Sequence, residues 1–160
     1  MERNTEIEIR TFPPRKRTIL VNWTNNWTNK DVQSYCVGFP QTHFLYLNRG
    51  RLRNYLYLFF EKDKEIFFPF LPNTILGWVC VGCVGTIEQA LDSFWNIPFG
   101  NSLLDVEERT FFLNDIRSQK INMRSLDEEM KRYPKWRHHF GSDFEENATF
   151  ALDAIKKHIK

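Results

Sequence analysis

The sequence predicts an α+β domain, a largely antiparallel sheet backed by helices, and three observations lead there. Segments rich in Phe, Tyr, Leu and Val, broken by polar pairs, fill much of the first half; Ser and Thr residues stand where helices should open; apolar residues later in the chain recur at helical spacing. The 160 residues are 42% apolar and 16% aromatic, which supplies one core and excludes a disordered or low-complexity chain.

Helix starts are marked by capping boxes, in which a Ser, Thr or Asp is answered three residues later by a carboxylate or amide. Thr28 with Asp31 predicts a short helix carrying Val32, Tyr35 and Cys36, ended by Gly38 and Pro40. Thr86 with Gln89 opens a helix whose stripe is Ile87, Ala90, Leu91, Phe94 and Trp95, stopped by Pro98. Ser125 with Glu128 begins a helix to Tyr133, closed by Pro134. Asp143 with Glu146 begins the last, which places Phe144, Ala148, Ala151, Ile155 and Ile159 on one side, with acids early and lysines late as the helix dipole favours.

Strands are expected at Thr18–Trp23, Thr42–Leu47, Leu52–Glu61, Lys64–Leu71, Ile75–Val84 and Ser102–Glu107, the third and fourth forming a hairpin around Lys62 and Asp63. Residues 109–122 form a seam between a first unit, 1–108, and a helical extension, 109–160, packed on it.

Several chemistries find no support. No apolar run is long enough to cross a bilayer, and no secretory leader is visible, so an intracellular setting, nuclear or cytoplasmic, is expected. Cys36, Cys80 and Cys83 are an odd set suited to reduced thiols. Cys80 and Cys83 make a lone CxxC that Cys36 and His43 would have to complete into a zinc site, and core thiols are the simpler reading. His138, His139 and His158 read as surface residues, and the pairs Glu107–Glu108 and Glu128–Glu129 as solvated. With no nucleophile elbow, zincin, phosphate-loop or dinucleotide pattern, neither an enzyme nor a metal or cofactor is expected.

One strand carries the functional argument. Alternate residues of a strand share a face, so Arg49, Arg51, Arg53, Tyr55, Tyr57 and Phe59 line one side while Leu52, Leu56, Leu58 and Phe60 line the other. Guanidinium groups can meet phosphates and tyrosine rings can stack bases, which suits single-stranded nucleic acid. A strand buried on both sides would collect the same rings. Net charge of +2 names no polyanion by itself, but Arg15, Lys16 and Arg17, just before the first expected strand, would extend a basic path.

On these residues the chain resembles the RNA recognition motif over about residues 18–108. Arg53-Asn54-Tyr55-Leu56-Tyr57-Leu58-Phe59-Phe60 matches the basic, aromatic and aliphatic positions of that family's octamer and misses its two small ones. Twenty-five residues then separate Phe60 from Thr86, where the family runs directly into a helix. A second frame, Leu76-Gly77-Trp78-Val79-Cys80-Val81-Gly82-Cys83, meets the Thr86 helix at once and turns residues 52–71 into an inserted hairpin.

The resemblance implies a βαββαβ antiparallel sheet with an inserted hairpin and a C-terminal helical extension. It also implies single-stranded RNA as partner, bound without catalysis through Arg51, Arg53, Tyr55 and Tyr57. Trp23 and Trp78 would add stacking, and Arg49, Lys16 and Arg17 would add charge. The departures from the family pattern fit equally a degenerate scaffold or adaptor that binds a protein partner and no RNA.

Overall fold

The computed structural model describes residues 6–23, 31–48, 54–81, 85–96, 98–100 and 106–160. The strands are β1 (Glu6–Phe12), β2 (Arg15–Asn22), β3 (Val32–Phe39), β4 (Gln41–Asn48), β5 (Tyr55–Lys62), β6 (Glu65–Pro69), β7 (Thr74–Ile75), β8 (Trp78–Val79) and β9 (Met123–Arg124). The helices are α1 (Ile87–Asn96), α2 (Val106–Arg117), α3 (Leu126–Arg132) and α4 (Arg137–His158), with a 3-10 turn at Tyr133–Lys135 before α4. The main sheet has seven strands along the path β1-β4-β5-β6-β9, with β8 pairing beside β5 and β7 beside β8; β2 and β3 form a separate hairpin. All pairings between these strands are antiparallel.

The centre of this sheet has no solvated face. Phe44 and Tyr46 of β4 and Leu56, Leu58 and Phe60 of β5 point to one side, where Ile19, Val21, Val37 and Phe39 of the β2–β3 hairpin, Ile87, Ala90 and Phe94 of α1, and Phe112 and Ile116 of α2 cover them. Leu45 and Leu47 of β4 and Tyr57 and Phe59 of β5 point to the other, beneath Tyr133 and Phe144, Ala148, Ala151 and Ile155 of α4. The two alanines let the α4 backbone lie close to the sheet. Backbone bonds tie the first cover in place: Asn22 and Leu20 exchange hydrogen bonds with Phe99 at 2.9 and 2.8 Å, and Gly38 N–H donates to the Gln119 carbonyl at 2.8 Å.

Two tight turns set the register around β5. Asp63 and Lys64 both have positive φ, 54° and 66°, the geometry of a type I′ hairpin turn, and they join β5 to β6 across the Lys62–Glu65 pair. The hairpin expected around Lys62 and Asp63 is therefore present, its turn one residue later. Leu76 and Gly77, at 51° and 82°, make the same turn between β7 and β8, and the Gly77 carbonyl accepts from Leu58 N–H at 2.7 Å.

The coarse class agrees with the sequence, and several elements do not. The helix expected from Thr28 is the strand β3. Thr28 itself lies outside the described residues, and from Val32 onward pairing with β2 turns Val37 and Phe39 inward at strand spacing, overriding the helical spacing of Val32, Tyr35 and Cys36. The long strand expected at Ile75–Val84 is a pair of two-residue strands folded at Gly77, with residues 82–84 outside the described ones. Of the strand expected at Ser102–Glu107, residues 102–105 are likewise outside, and Val106 and Glu107 open α2, which runs through most of the expected seam. Seven strands also exceed what a βαββαβ order supplies.

Other signals hold. Thr86 and Gln89 cap α1 reciprocally, each side chain meeting the other's backbone N–H at 3.1 Å, and Ser125 with Glu128 does the same for α3. In α4 the helical geometry is interrupted at Gly141, φ 72°, just before the expected start at Asp143.

Gly77 tests the turn. A Cβ there would come within 2.6 Å of the Phe59 ring in a left-handed backbone, whereas at Gly38 it would meet only the Gln119 carbonyl at 3.5 Å. Gly77→Ala is expected to lower stability by about 1–3 kcal/mol, and Gly38→Ala by less than about 1 kcal/mol, in urea titrations followed by tryptophan fluorescence.

Candidate interaction surface

Of the residues expected to form a basic, aromatic face, those described are dispersed, and their rings are engaged in packing. Tyr57 is 0% exposed and stacks parallel to Phe59 under α4, with ring centroids 6.2 Å apart; in this arrangement it is not open to a base. Tyr55 is half-buried against the same core. The side assigned to these tyrosines from strand alternation is right, but α4 occupies it. Trp78 is half-buried, edge-on to Phe140 and Phe144 at 5.3 and 5.6 Å. Trp23 donates from Nε1 to the Tyr35 hydroxyl at 2.7 Å and packs on Phe112.

The described basic residues, Arg15, Lys16 and Arg17, do not converge on these rings. Lys16 is exposed on β2, opposite Gly38. The Arg17 guanidinium lies 4.5 Å from the Trp95 ring, and Arg15 lies 5.7 Å from Phe12. Arg49, Arg51 and Arg53 lie outside the described residues.

The two described thiols are not in the core. Cys36 faces outward from β3 and Cys80 is exposed just after β8, because the core side of each short strand is taken by Val37 and Val79. Neighbouring groups still partly desolvate the Cys80 thiol and push its pKa up, away from the reactive thiolate. Cys83 is outside the described residues, and among those described no three His, Cys, Asp or Glu side chains are placed to hold a metal.

The acidic pairs divide in a way their spacing did not reveal. Glu129 is 1% exposed, and with Glu108 it anchors a four-charge network instead of facing solvent. Glu129 Oε2 accepts from Arg124 at 3.1 Å, and its Oε1 accepts from Leu76 N–H at 3.0 Å. Glu108 Oε2 lies 2.9 Å from Arg124 and 2.8 Å from Arg132 Nε. Arg132 also donates to the Thr74 carbonyl at 2.7 Å, and the Arg124 guanidinium lies 3.7 Å from the Phe70 ring. The network thus ties α2, β9 and α3 to the strained β7–β8 turn. It is balanced in charge and engages both oxygens of Glu129, which is the condition for such a group to be tolerated in a core.

By fixing the start of α3, the network shapes one wall of a groove. β9 pairs with β6 only at Phe68 and Pro69, so Glu65, Ile66 and Phe67 have β5 on one side and no described strand on the other. Phe70 N–H donates toward β9, to the Asn122 carbonyl at 3.0 Å; two-residue alternation then directs the Ile66 amide and carbonyl toward the open side. A groove of about 690 Å³ runs beside this edge. Ile66, Phe67, Phe68, Leu126, Leu152 and Ile159 make it apolar, and Lys64, Lys156 and Lys160 rim it, with Glu65 as the single acid. Lys64 is held near the end of α4 by a 3.5 Å bond to the Ile159 carbonyl.

Compared with known proteins, the chain matches no protein-family model, no curated protein and no solved structure. None of its described helices is long and apolar enough to cross a membrane.

The network predicts an asymmetry between neighbouring acids. Glu129→Gln leaves the buried Arg132 and the half-buried Arg124 with Glu108 as their one carboxylate among the described residues and is expected to cost about 3 kcal/mol, while Glu128→Gln, at the exposed capping position, is expected to cost less than about 1 kcal/mol. Chemical denaturation of the two variants measures both, and equal losses would contradict the assignment.

Proposed function

We propose that this chain is a protein-interaction module that takes up an extended, acidic segment of a partner alongside β6. The observation that carries the reading is the half-paired edge at Glu65–Phe67 lying directly beside a lysine-rimmed apolar groove. Addition of a strand to a sheet edge supplies main-chain hydrogen bonds, and pockets along the edge select alternate side chains. Here the Ile66 amide and carbonyl would pair with the incoming backbone. Leu126, Leu152 and Ile159 would receive its apolar side chains, and Lys64, Lys156 and Lys160 would meet its carboxylates.

The alternative of single-stranded RNA needs an open stacking face at Tyr55 and Tyr57, and burial of Tyr57 beneath α4 weighs against it. The interaction reading uses surface that α4 leaves free. It needs no aromatic face and no net positive charge.

Fluorescence anisotropy with labelled peptides of about eight residues tests this. A segment alternating Leu with Glu is expected to bind, more weakly as salt rises, and its Lys-substituted counterpart is not. The exposed pair Lys156→Glu and Lys160→Glu should reduce affinity at least about tenfold without changing the melting temperature. Saturable binding of single-stranded RNA at physiological salt, with no peptide binding, would replace this reading by the nucleic-acid one.

A further inference from the structure

On the other flank of α4, toward β1, a different chemistry is assembled, and it does not rest on the interaction groove. In the β1–β4 register Thr11 stands directly opposite His43, and on β5 Glu61 is two residues beyond Phe59, the partner of His43. All three point to the α4 face of the sheet. His43 Nε2 lies 2.6 Å from Glu61 Oε1, and His43 Nδ1 lies 2.8 Å from Thr11 Oγ1. The last turn of α4 brings His158 Nε2 to 3.4 Å from the same hydroxyl, its ring roughly perpendicular to that of His43. The His43 side chain is 3% exposed and that of Glu61 12%, while Thr11 is at the surface.

These contacts accommodate a neutral His43 ring with its proton on Nε2. In that form Nε2–H donates to the Glu61 carboxylate oxygen. In the neutral imidazole Nδ1 then holds a lone pair, and the Thr11 hydroxyl donates to it. Hydroxyl, base and orienting carboxylate therefore stand in the order that activates an alcohol as nucleophile. A groove of about 570 Å³ lies on the same flank, with Ile7, Ile9, Phe150 and Ala154 as its apolar lining and Asp153, Lys157 and His158 as its polar one; His158 borders both the groove and the Thr11 hydroxyl.

We infer that Thr11 is an acyl-accepting nucleophile, activated by His43 and serving carboxylic esters with an apolar acyl chain. Thr11 Oγ1 attacks the ester carbonyl carbon as its proton passes to His43 Nδ1. The tetrahedral adduct collapses with cleavage of the bond to the leaving alcohol, which takes that proton, and the acyl group remains on Thr11. Water then attacks the acyl carbon: as its oxygen bonds to that carbon one of its protons passes to His43 Nδ1, the bond from the carbon to Thr11 Oγ1 breaks, and the proton returns to Oγ1 as the free acid departs. His43 is a catalytic residue in this scheme. Glu61 is a positioning residue that fixes the ring tautomer, and the apolar groove holds the acyl chain.

Incubation of the full chain with p-nitrophenyl hexanoate tests the inference, read by release of p-nitrophenolate and by mass spectrometry of proteolytic peptides. The expected result is an acyl group on the peptide containing Thr11, retained in Thr11→Ser and lost in Thr11→Val. His43→Gln should reduce the rate of acylation roughly 100-fold or more. Glu61→Gln should reduce it as well, with partial recovery in Glu61→Asp, while circular dichroism and melting temperature remain those of a folded chain. Because His43 is buried and its replacement can disturb folding, the exposed Thr11→Val and Thr11→Ser pair decides the matter. Acylation confined to lysines, or a rate unchanged in Thr11→Val, would overturn it.

Discussion

The architecture depends on a constraint set by β5, which has no polar side across its centre. Leu56, Leu58 and Phe60 face one way, Tyr57 and Phe59 the other, and each is 1% exposed or less. Burial of such side chains stabilises by about 1.5–3 kcal/mol each, so neither face can be left wet. The chain meets the demand with two covers of different kinds. A hairpin with two helices lies on one face, and a helix with two alanines at the contact lies on the other. The grooves beside α4 follow from the same solution, because a single helix laid on a wider sheet leaves a trough on either side.

Local signals were legible where one stretch of sequence contains all the groups involved. The capping boxes at Thr86 and Ser125, the inward stripe of α4 and the hairpin between β5 and β6 are of this kind. The alternation of β5 was also readable. What occupied its tyrosine side was not, because the answer lies in residues 144–155. In β3 the residues Val32, Tyr35 and Cys36 have helical spacing while Tyr35, Val37 and Phe39 have strand spacing, and pairing with Arg15–Asn22 decided between them.

The chemistry was less legible still, because it is assembled by register. Thr11 and His43 are 32 residues apart and His43 and Glu61 are 18 apart, so nothing in local spacing unites them. Glu129 looked like a solvated neighbour of Glu128 because the two are adjacent, yet helix geometry turns one to solvent as a cap and the other inward to Arg124 and the Leu76 amide. The one useful sequence cue was the capping box: once Glu128 is committed to Ser125, its neighbour must point elsewhere.

The wide separation of α4 from the strands it shields bears on how the molecule comes to be folded. Lys64 and Ile159, joined at the end of β6, are 95 residues apart. Until that distant segment arrives, the rings of Tyr57 and Phe59 are a sticky surface on an incomplete sheet. Closing a contact over such a separation costs chain entropy before the contact repays it, so the shielding of those two rings waits on the chain's most distant helix.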